Sequence, residues 1–194
     1  MKINQKNQWR HPHQQRSDNP SSLDYLVRLY EEASSIARTP DGPLARKLKC
    51  WEGKNGKSAV GPLKRPERIF EKTFEKHSND FSKVCDIARA SIVFKTVPDL
   101  LDCLETIVND TDVDVSRVKA KLAPSHDATN GGGYRDVLIN LRLLKDTLYT
   151  SHVVEVRVVF ECCVRVLCSS VKRENFVLLT LTHRYNFIYN DFTN

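Results

Sequence analysis

The run Val153–Phe160, Val-Val-Glu-Val-Arg-Val-Val-Phe, limits the fold more than any other stretch of the chain. Side chains alternate between the two faces of a β-strand. Val154, Val156, Val158 and Phe160 therefore share one apolar face, while Val153, Glu155, Arg157 and Val159 share the other. A carboxylate set between valines on a sheet face is partly desolvated, which costs free energy unless the charge is paired or holds a metal. The run Gly133–Leu143 repeats the division. Val137, Ile139, Leu141 and Leu143 fall on a core face, and Tyr134, Asp136, Leu138, Asn140 and Arg142 on the opposite one. Open sheets often leave one face to water, so alternation by itself does not decide between a solvated face and a site.

The remaining elements follow from periodicity and punctuation. Leu23, Leu26, Val27, Tyr30, Ala33 and Ala37 recur at helical spacing, with Ser21 or Ser22 as cap and Thr39-Pro40-Asp41-Gly42 as the stop. A short helix is expected over 43–51, and the Gly- and Lys-rich stretch 52–65 reads as a loop. Pro66 opens a helix with the stripe Ile69, Phe70, Thr73, Phe74 and His77. A strand over 88–94 follows, then a helix opened by Pro98 with Leu100, Leu101, Leu104, Ile107 and Val108 inward. Strands over 113–122, 134–144 and 151–160 complete the order, with a polar loop at 124–133. The pattern is helices followed by β-α-β-β-β. That is an α+β fold with a mixed sheet and helices on one side.

Residues 1–21 are polar with almost no aliphatics, so a flexible tail is expected there. Residues 161–194 change character and receive no assignment. The N-terminus has no apolar h-region and no stretch of 18 apolar residues occurs, which argues against a secretory signal and a membrane span. The six cysteines then read as reduced thiols of a cytoplasmic protein, and the spacing of Cys162, Cys163 and Cys168 does not match common zinc sites. A net charge of +6 suits a polyanionic partner without choosing one.

Asp86 precedes the 88–94 strand, and Glu155 lies mid-strand. Carboxylates at a strand start and on a neighbouring strand meet across a sheet, and two such groups suit Mg²⁺, which completes its shell with water and phosphate. Lys64, Arg68 and Lys72 are spaced four apart, as on one helical face, and Arg117 and Lys119 share a strand face. Two cationic clusters beside a metal site would suit a triphosphate. A solvated basic helix accounts for the first cluster equally well.

Four stretches in order resemble the synthetase domain of the RelA/SpoT family, the alarmone synthetases. Gly61–Lys72 is similar to its Gly-Arg-x-Lys segment and the helix that follows. Asp86–Val93 is similar to its Asp-(Ile/Leu)-x-x-x-Arg strand. Arg117–Ser125 with Asn130–Val137 is similar to Arg-x-Lys-Asp-Tyr-Ile followed by Asn-Gly-Tyr-(Gln/Arg)-Ser. His152–Val158 is similar to Glu-(Ile/Leu)-Gln-(Ile/Leu). The resemblance spans about 22–160. It implies a nucleotidyltransferase-type sheet flanked by helices, and transfer of the β,γ-pyrophosphate of ATP to the 3′-hydroxyl of GTP or GDP. Asp86 is then a Mg²⁺ ligand, Glu155 a second ligand or the base, and Tyr134 the residue that stacks on the acceptor base. Lys64, Arg68, Lys72, Arg89, Arg117, Lys119, Asn130 and Arg157 complete the nucleotide site.

Several positions depart from the family pattern. Pro62 stands where it has Arg, Ser91 where it has Arg, Leu138 where it has His, and Arg157 where it has Gln. These leave open another acceptor, an adenosine nucleotide or the 3′ end of tRNA served by Lys121, Arg142 and Lys145, as well as a non-catalytic nucleotide-binding module. His126-Asp127 lacks the rest of a hydrolase signature, so no alarmone hydrolysis is expected. Oligomeric state stays open, a homo-oligomer included.

Overall fold

The computed structural model describes residues 19–122 and 135–161. The tail at 1–18, the loop at 124–133 with Asn130, His126 and Asp127, Tyr134, and the segment from Cys162 onward with its three cysteines lie outside the described residues.

The described elements are α1 (Leu23–Ile36), α2 (Pro43–Glu52), β1 (Lys57–Val60), α3 (Pro66–Lys76), a 3₁₀ turn (Phe81–Lys83), β2 (Arg89–Phe94), α4 (Val97–Asn109), β3 (Val113–Ala120), β4 (Asp136–Leu143) and β5 (Val153–Phe160). They build an α+β fold around one five-stranded sheet in the order β1-β2-β5-β4-β3. β2 and β5 run parallel and the other pairs are antiparallel, so the sheet is mixed. The parallel pair needs a long crossover between its strands, and α4, β3 and β4 all lie within it.

The apolar face is the one the alternation predicts. Ala90, Ile92 and Phe94 of β2, Val137, Ile139 and Leu141 of β4, and Val154, Val156 and Val158 of β5 join the buried core. α4 packs on β2 and β5, and α2 packs on α4. The stretch expected as a loop contains β1, a four-residue edge strand between Gly56 and Gly61. Ser58 and Val60 are half-buried and Lys57 and Ala59 exposed, too few apolar residues to signal a strand, and its order comes from pairing with β2. Gly56 is required: a Cβ there would lie 2.5 Å from the Glu52 carbonyl oxygen and 2.7 Å from Phe94 Cε1.

The helix stripes are shifted from those expected. α1 buries Tyr25, Leu26, Leu29, Ala33 and Ile36, leaving Leu23 and Val27 exposed. The apolar arc of this helix is broad, and packing selects its flank with Tyr25, Leu29 and Ile36. α3 buries Ile69 and Thr73, while Phe74 is exposed and Phe70 stacks edge-on against Phe81 with ring centroids 5.6 Å apart. α3 also borders the polar face of the sheet, so the helices do not all lie on one side. The buried His152 places Nδ1 3.0 Å from Glu32 Oε2, tying α1 to the start of β5.

Candidate active site

Strand register sets basic and acidic side chains in rows across the polar face. Arg89, Glu155, Asn140 and Arg117 are neighbours on β2, β5, β4 and β3, and the next row is Ser91, Arg157, Leu138 and Lys119. Arg117 and Lys119 reach this face through a bulge in β3. Val115 pairs with Leu141, but Arg117, not Ser116, pairs with Asn140. The extra residue switches the alternation phase, so Val113 and Val115 before it and Val118 after it all pack on the core.

Asp86 lies just ahead of β2. Its carboxylate accepts from Lys64 Nζ at 2.7 Å and Lys72 Nζ at 3.1 Å. Burial pushes its pKa up, but the two ammonium groups outweigh burial and hold the carboxyl below the usual aspartate range. Lys64 is not on the α3 face expected for it. Pro66 at the first helical position keeps Arg65 extended, and the Lys64 N–H donates to the Ile87 carbonyl. Lys64 and Lys72 thus meet on Asp86 from two elements, while Arg68 turns to Glu71 at 2.7 Å.

Asp86 and Glu155 line one cavity of about 490 Å³ together with Lys72, Arg117, Lys119 and Asn140. Glu155 is 6 % exposed and accepts at Oε1 from Arg157 Nε at 3.0 Å and Nη2 at 2.9 Å. Burial, then Arg117 and Lys121, lowers the Lys119 pKa, against an opposing pull from Glu155. A second cavity of about 450 Å³ is lined by Lys64, Arg65, Arg68 and Arg89. Arg89 Nη2 donates to the Pro62 carbonyl at 3.1 Å, and its Nε is buried without a hydrogen-bond partner. Lys64 therefore bridges an all-cationic basket and the carboxylate cavity. A larger, open depression of about 1040 Å³ between α1 and Val60–Leu63 holds neither carboxylate. Both acids lie in the cavity of about 490 Å³.

Among the described residues no group of three His, Cys, Asp or Glu side chains converges on a metal position. Two hard oxygen donors in one cavity nevertheless fit Mg²⁺, which takes one or two carboxylates and fills its shell with water and phosphate. The structure brings together Asp86, Glu155, Lys72, Arg117 and Lys119, and places Lys64, Arg68 and Arg89 in the adjoining basket. Asn130 and Tyr134 lie outside the described residues. The three cations considered for RNA are in ion pairs, Lys121 with Asp136, Arg142 with Asp114 and Lys145 with Asp112. Sequence reasoning missed Lys76, His77, Lys83, Cys85 and Asn140 as lining residues. Lys76 had a signal, since it follows Lys72 by one helical turn. Asn140 lay on the expected polar face without a role. Cys85 is an inert wall residue, with burial pushing its thiol up to about 12.

No protein-family model matches the sequence, and neither does any curated protein. Solved structures do match. The small alarmone synthetase 1 of Bacillus subtilis, bound to its product pppGpp, aligns with a TM-score of 0.58 at 17 % identity over 87 % of this chain and 92 % of that one. A GTP pyrophosphokinase family protein of Streptococcus pneumoniae aligns with a TM-score of 0.51 at 14 % identity, over 87 % and 90 % of the two chains. The type VI effector Tas1, solved with its immunity protein, aligns with a TM-score of 0.51 at 19 % identity, over 86 % and 76 %. Among the described residues no helix is long and apolar enough to cross a membrane. With its mixed five-stranded sheet and flanking helices, the chain has the fold of the small alarmone synthetases.

Proposed function

We propose that this chain is a Mg²⁺-dependent pyrophosphotransferase that moves the β,γ-pyrophosphate of ATP to the 3′-hydroxyl of GTP or GDP. The observation that carries this is the shared cavity of Asp86 and Glu155, walled by Arg117, Lys119 and Lys72 and joined through Lys64 to a basket of three arginines. Transfer of a phosphoryl-type group needs positioning and charge neutralisation more than covalent help.

The basket of Lys64, Arg65, Arg68 and Arg89 takes the donor triphosphate, and the Nε of Arg89 gives a buried donor with no other partner. Glu155 accepts the proton of the acceptor 3′-hydroxyl. Arg157, on its Oε1, fixes the carboxylate and leaves Oε2 for that proton. The hydroxyl oxygen bonds to the β-phosphorus, the bond from that phosphorus to the α,β-bridging oxygen breaks, and AMP leaves with the electron pair. Lys72, Arg117 and Lys119 balance charge on the moving group. Asp86 would hold the Mg²⁺, whose chemistry when bound is neutralisation of the phosphate oxygens, and Glu155 is a second ligand in the arrangement where it is not the base.

The deciding assay incubates the protein with ATP, GDP or GTP, and Mg²⁺, and looks for a 3′-pyrophosphorylated product and AMP in equal amounts. Absence of both from folded protein, with every acceptor tried, sinks the proposal. Leu138 favours a second acceptor. It lines the carboxylate cavity where the family resemblance has His, so an adenosine nucleotide belongs in the same assay.

A further inference from the structure

Two side chains of α1 that the transfer does not use tie this helix to both sides of the site. Glu32 Oε2 lies 3.0 Å from Nδ1 of His152, the residue before β5. Two residues earlier, the Tyr30 hydroxyl donates to the Lys64 carbonyl. The buried stripe of Tyr25, Leu26, Leu29, Ala33 and Ile36 fixes the helix on the core between these ties. Burial, then the nearby Glu67 carboxylate, raises the Tyr30 pKa against a smaller pull from Arg89. The phenol therefore keeps its proton at neutral pH and remains a donor.

Lys64 is held at three points. Its N–H donates to the Ile87 carbonyl at 3.0 Å, its carbonyl accepts from Tyr30, and its Nζ donates to Asp86 Oδ2 at 2.7 Å. The first two bonds pin the backbone on both sides of its Cα, so the ammonium group reaches Asp86 from a fixed root. Lys72, the other partner of Asp86, hangs from α3 and is more exposed. Of the two lysines, Lys72 can swing to an incoming phosphate while Lys64 stays. Leu63 lines the depression beside α1 and Lys64 the arginine basket, so this segment is the wall between them. Without the phenol oxygen, the Lys64 backbone is anchored on its N–H side alone.

We propose that Tyr30 is a positioning residue: by holding the Lys64 backbone, it keeps the Lys64 ammonium between Asp86 and the donor phosphates. This rests on the transferase reading of the cavity, and it adds that the donor side is set from α1. The tie to His152 references α1 to the strand that carries Glu155, so one helix spaces the two sides of the reaction. Misplacing a group by about 1 Å at a reacting centre costs up to about a hundredfold in rate. Tyr30 also lines the open depression, whose water can solvate the Lys64 carbonyl once the hydroxyl is gone. Loss of the hydroxyl therefore acts on the placement of Lys64 far more than on folding.

The test compares Tyr30→Phe with wild type on the full chain, alone and in a Lys64→Met background. Thermal denaturation of Tyr30→Phe should shift down by no more than about 4 °C. Its kcat in the transfer assay should fall about tenfold or more, while the KM of the acceptor stays within about twofold. Calorimetry with a non-hydrolysable ATP analogue should show binding about threefold weaker or more. In the Lys64→Met background both effects of Tyr30→Phe should vanish, because the group being placed is gone. Wild-type kcat and analogue affinity in Tyr30→Phe overturn the clamp and leave the transferase reading standing. An equal loss in the Lys64→Met background also overturns it, since the phenol would then act elsewhere. If wild type binds the analogue but forms no product, the transferase reading falls, and weakening confined to chains that keep Lys64 still establishes the clamp.

Discussion

Replacing Asp86 by Asn keeps the side-chain shape and removes the charge that Lys64 and Lys72 share. Asp86 and Lys64 are 15 % and 14 % exposed, whereas Lys72 at 33 % is partly in water. Breaking a buried pair costs about 3–5 kcal/mol and an exposed one about 0–1 kcal/mol. The amide keeps one acceptor for Lys64, so the expected loss is about 2–3 kcal/mol. At about 2–4 °C per kcal/mol for a chain of this size, thermal denaturation should shift down by about 4–12 °C at pH 7. The pH dependence separates charge from shape. A carboxyl whose folded pKa is depressed contributes stability above its unfolded value, and that stability is lost as pH falls through the folded value. The melting gap between Asp86→Asn and wild type should therefore be constant above about pH 5. It should narrow below the ordinary aspartate value of 3.8 as wild-type Asp86 protonates. A gap that persists unchanged down to pH 3 would show that the amide disrupts packing and that the ion pairs contribute nothing. In the absence of Mg²⁺ the same variant should bind nucleotide more tightly than wild type, because the cavity loses a negative charge; weaker binding would contradict the electrostatics assigned to it.

Other substitutions probe separate parts of the structure. Glu155→Gln should abolish product formation in the transfer assay while calorimetry still detects nucleotide, since the amide cannot take the hydroxyl proton. Gly56→Ala should cost about 2 kcal/mol or more in chemical denaturation, because the added methyl meets backbone as well as the Phe94 ring. Ile139→Ala, at the fully buried centre of β4, should cost about 2–5 kcal/mol by the same measurement.

Strand identity and facing were legible because period-2 alternation is strong in β4 and β5, where one face is wholly apolar. The polar face with Glu155 opposite Asn140 follows from that alternation and the pairing. β1 was not legible: its four residues are ordered by hydrogen bonds to β2, and its half-buried side, Ser58 and Val60, carries a single apolar residue. The face of α1 was misplaced because its apolar arc is broad and tertiary packing alone chooses Leu29 and Ile36 over Leu23 and Val27. Within the site, Asp86 with its two lysines was partly legible, but Pro66 moved Lys64 off the helix. The partnership of Lys64 and Lys72 comes from the Ile87–Lys64 backbone bond, which no spacing encodes. His77 and Lys83 depend on two left-handed residues, a conformation Asn tolerates and Ser adopts only under tertiary constraint.

The bulge in β3 did leave a mark in the sequence. Val113 and Val115 keep one phase and Val118 and Ala120 the other, so a strand with all four on the core face must hold one extra residue between them. That residue is Ser116, and the consequence is an unusual deletion prediction. Removing one residue from a strand normally turns every side chain on one side of the cut to the wrong face. Removing Ser116 instead leaves Val-Asp-Val-Arg-Val-Lys-Ala in unbroken alternation, with Arg117 and Lys119 still opposite the valines. The loss is the bond from Arg142 Nη1 to Ser116 Oγ at 2.9 Å, worth about 1 kcal/mol, together with the local twist. Removing Asp114 turns Val113 away from the core and breaks its ion pair with Arg142, for about 2–3 kcal/mol. Urea denaturation should therefore rank the Ser116 deletion as clearly more stable than the Asp114 deletion. Equal losses, or the reverse order, would mean that β3 does not owe its facing to the extra residue. The folded Ser116 deletion should still bind nucleotide more weakly than wild type. The bulge bends the strand as well as rephasing it, and that bend aims Arg117 into the cavity it shares with Glu155.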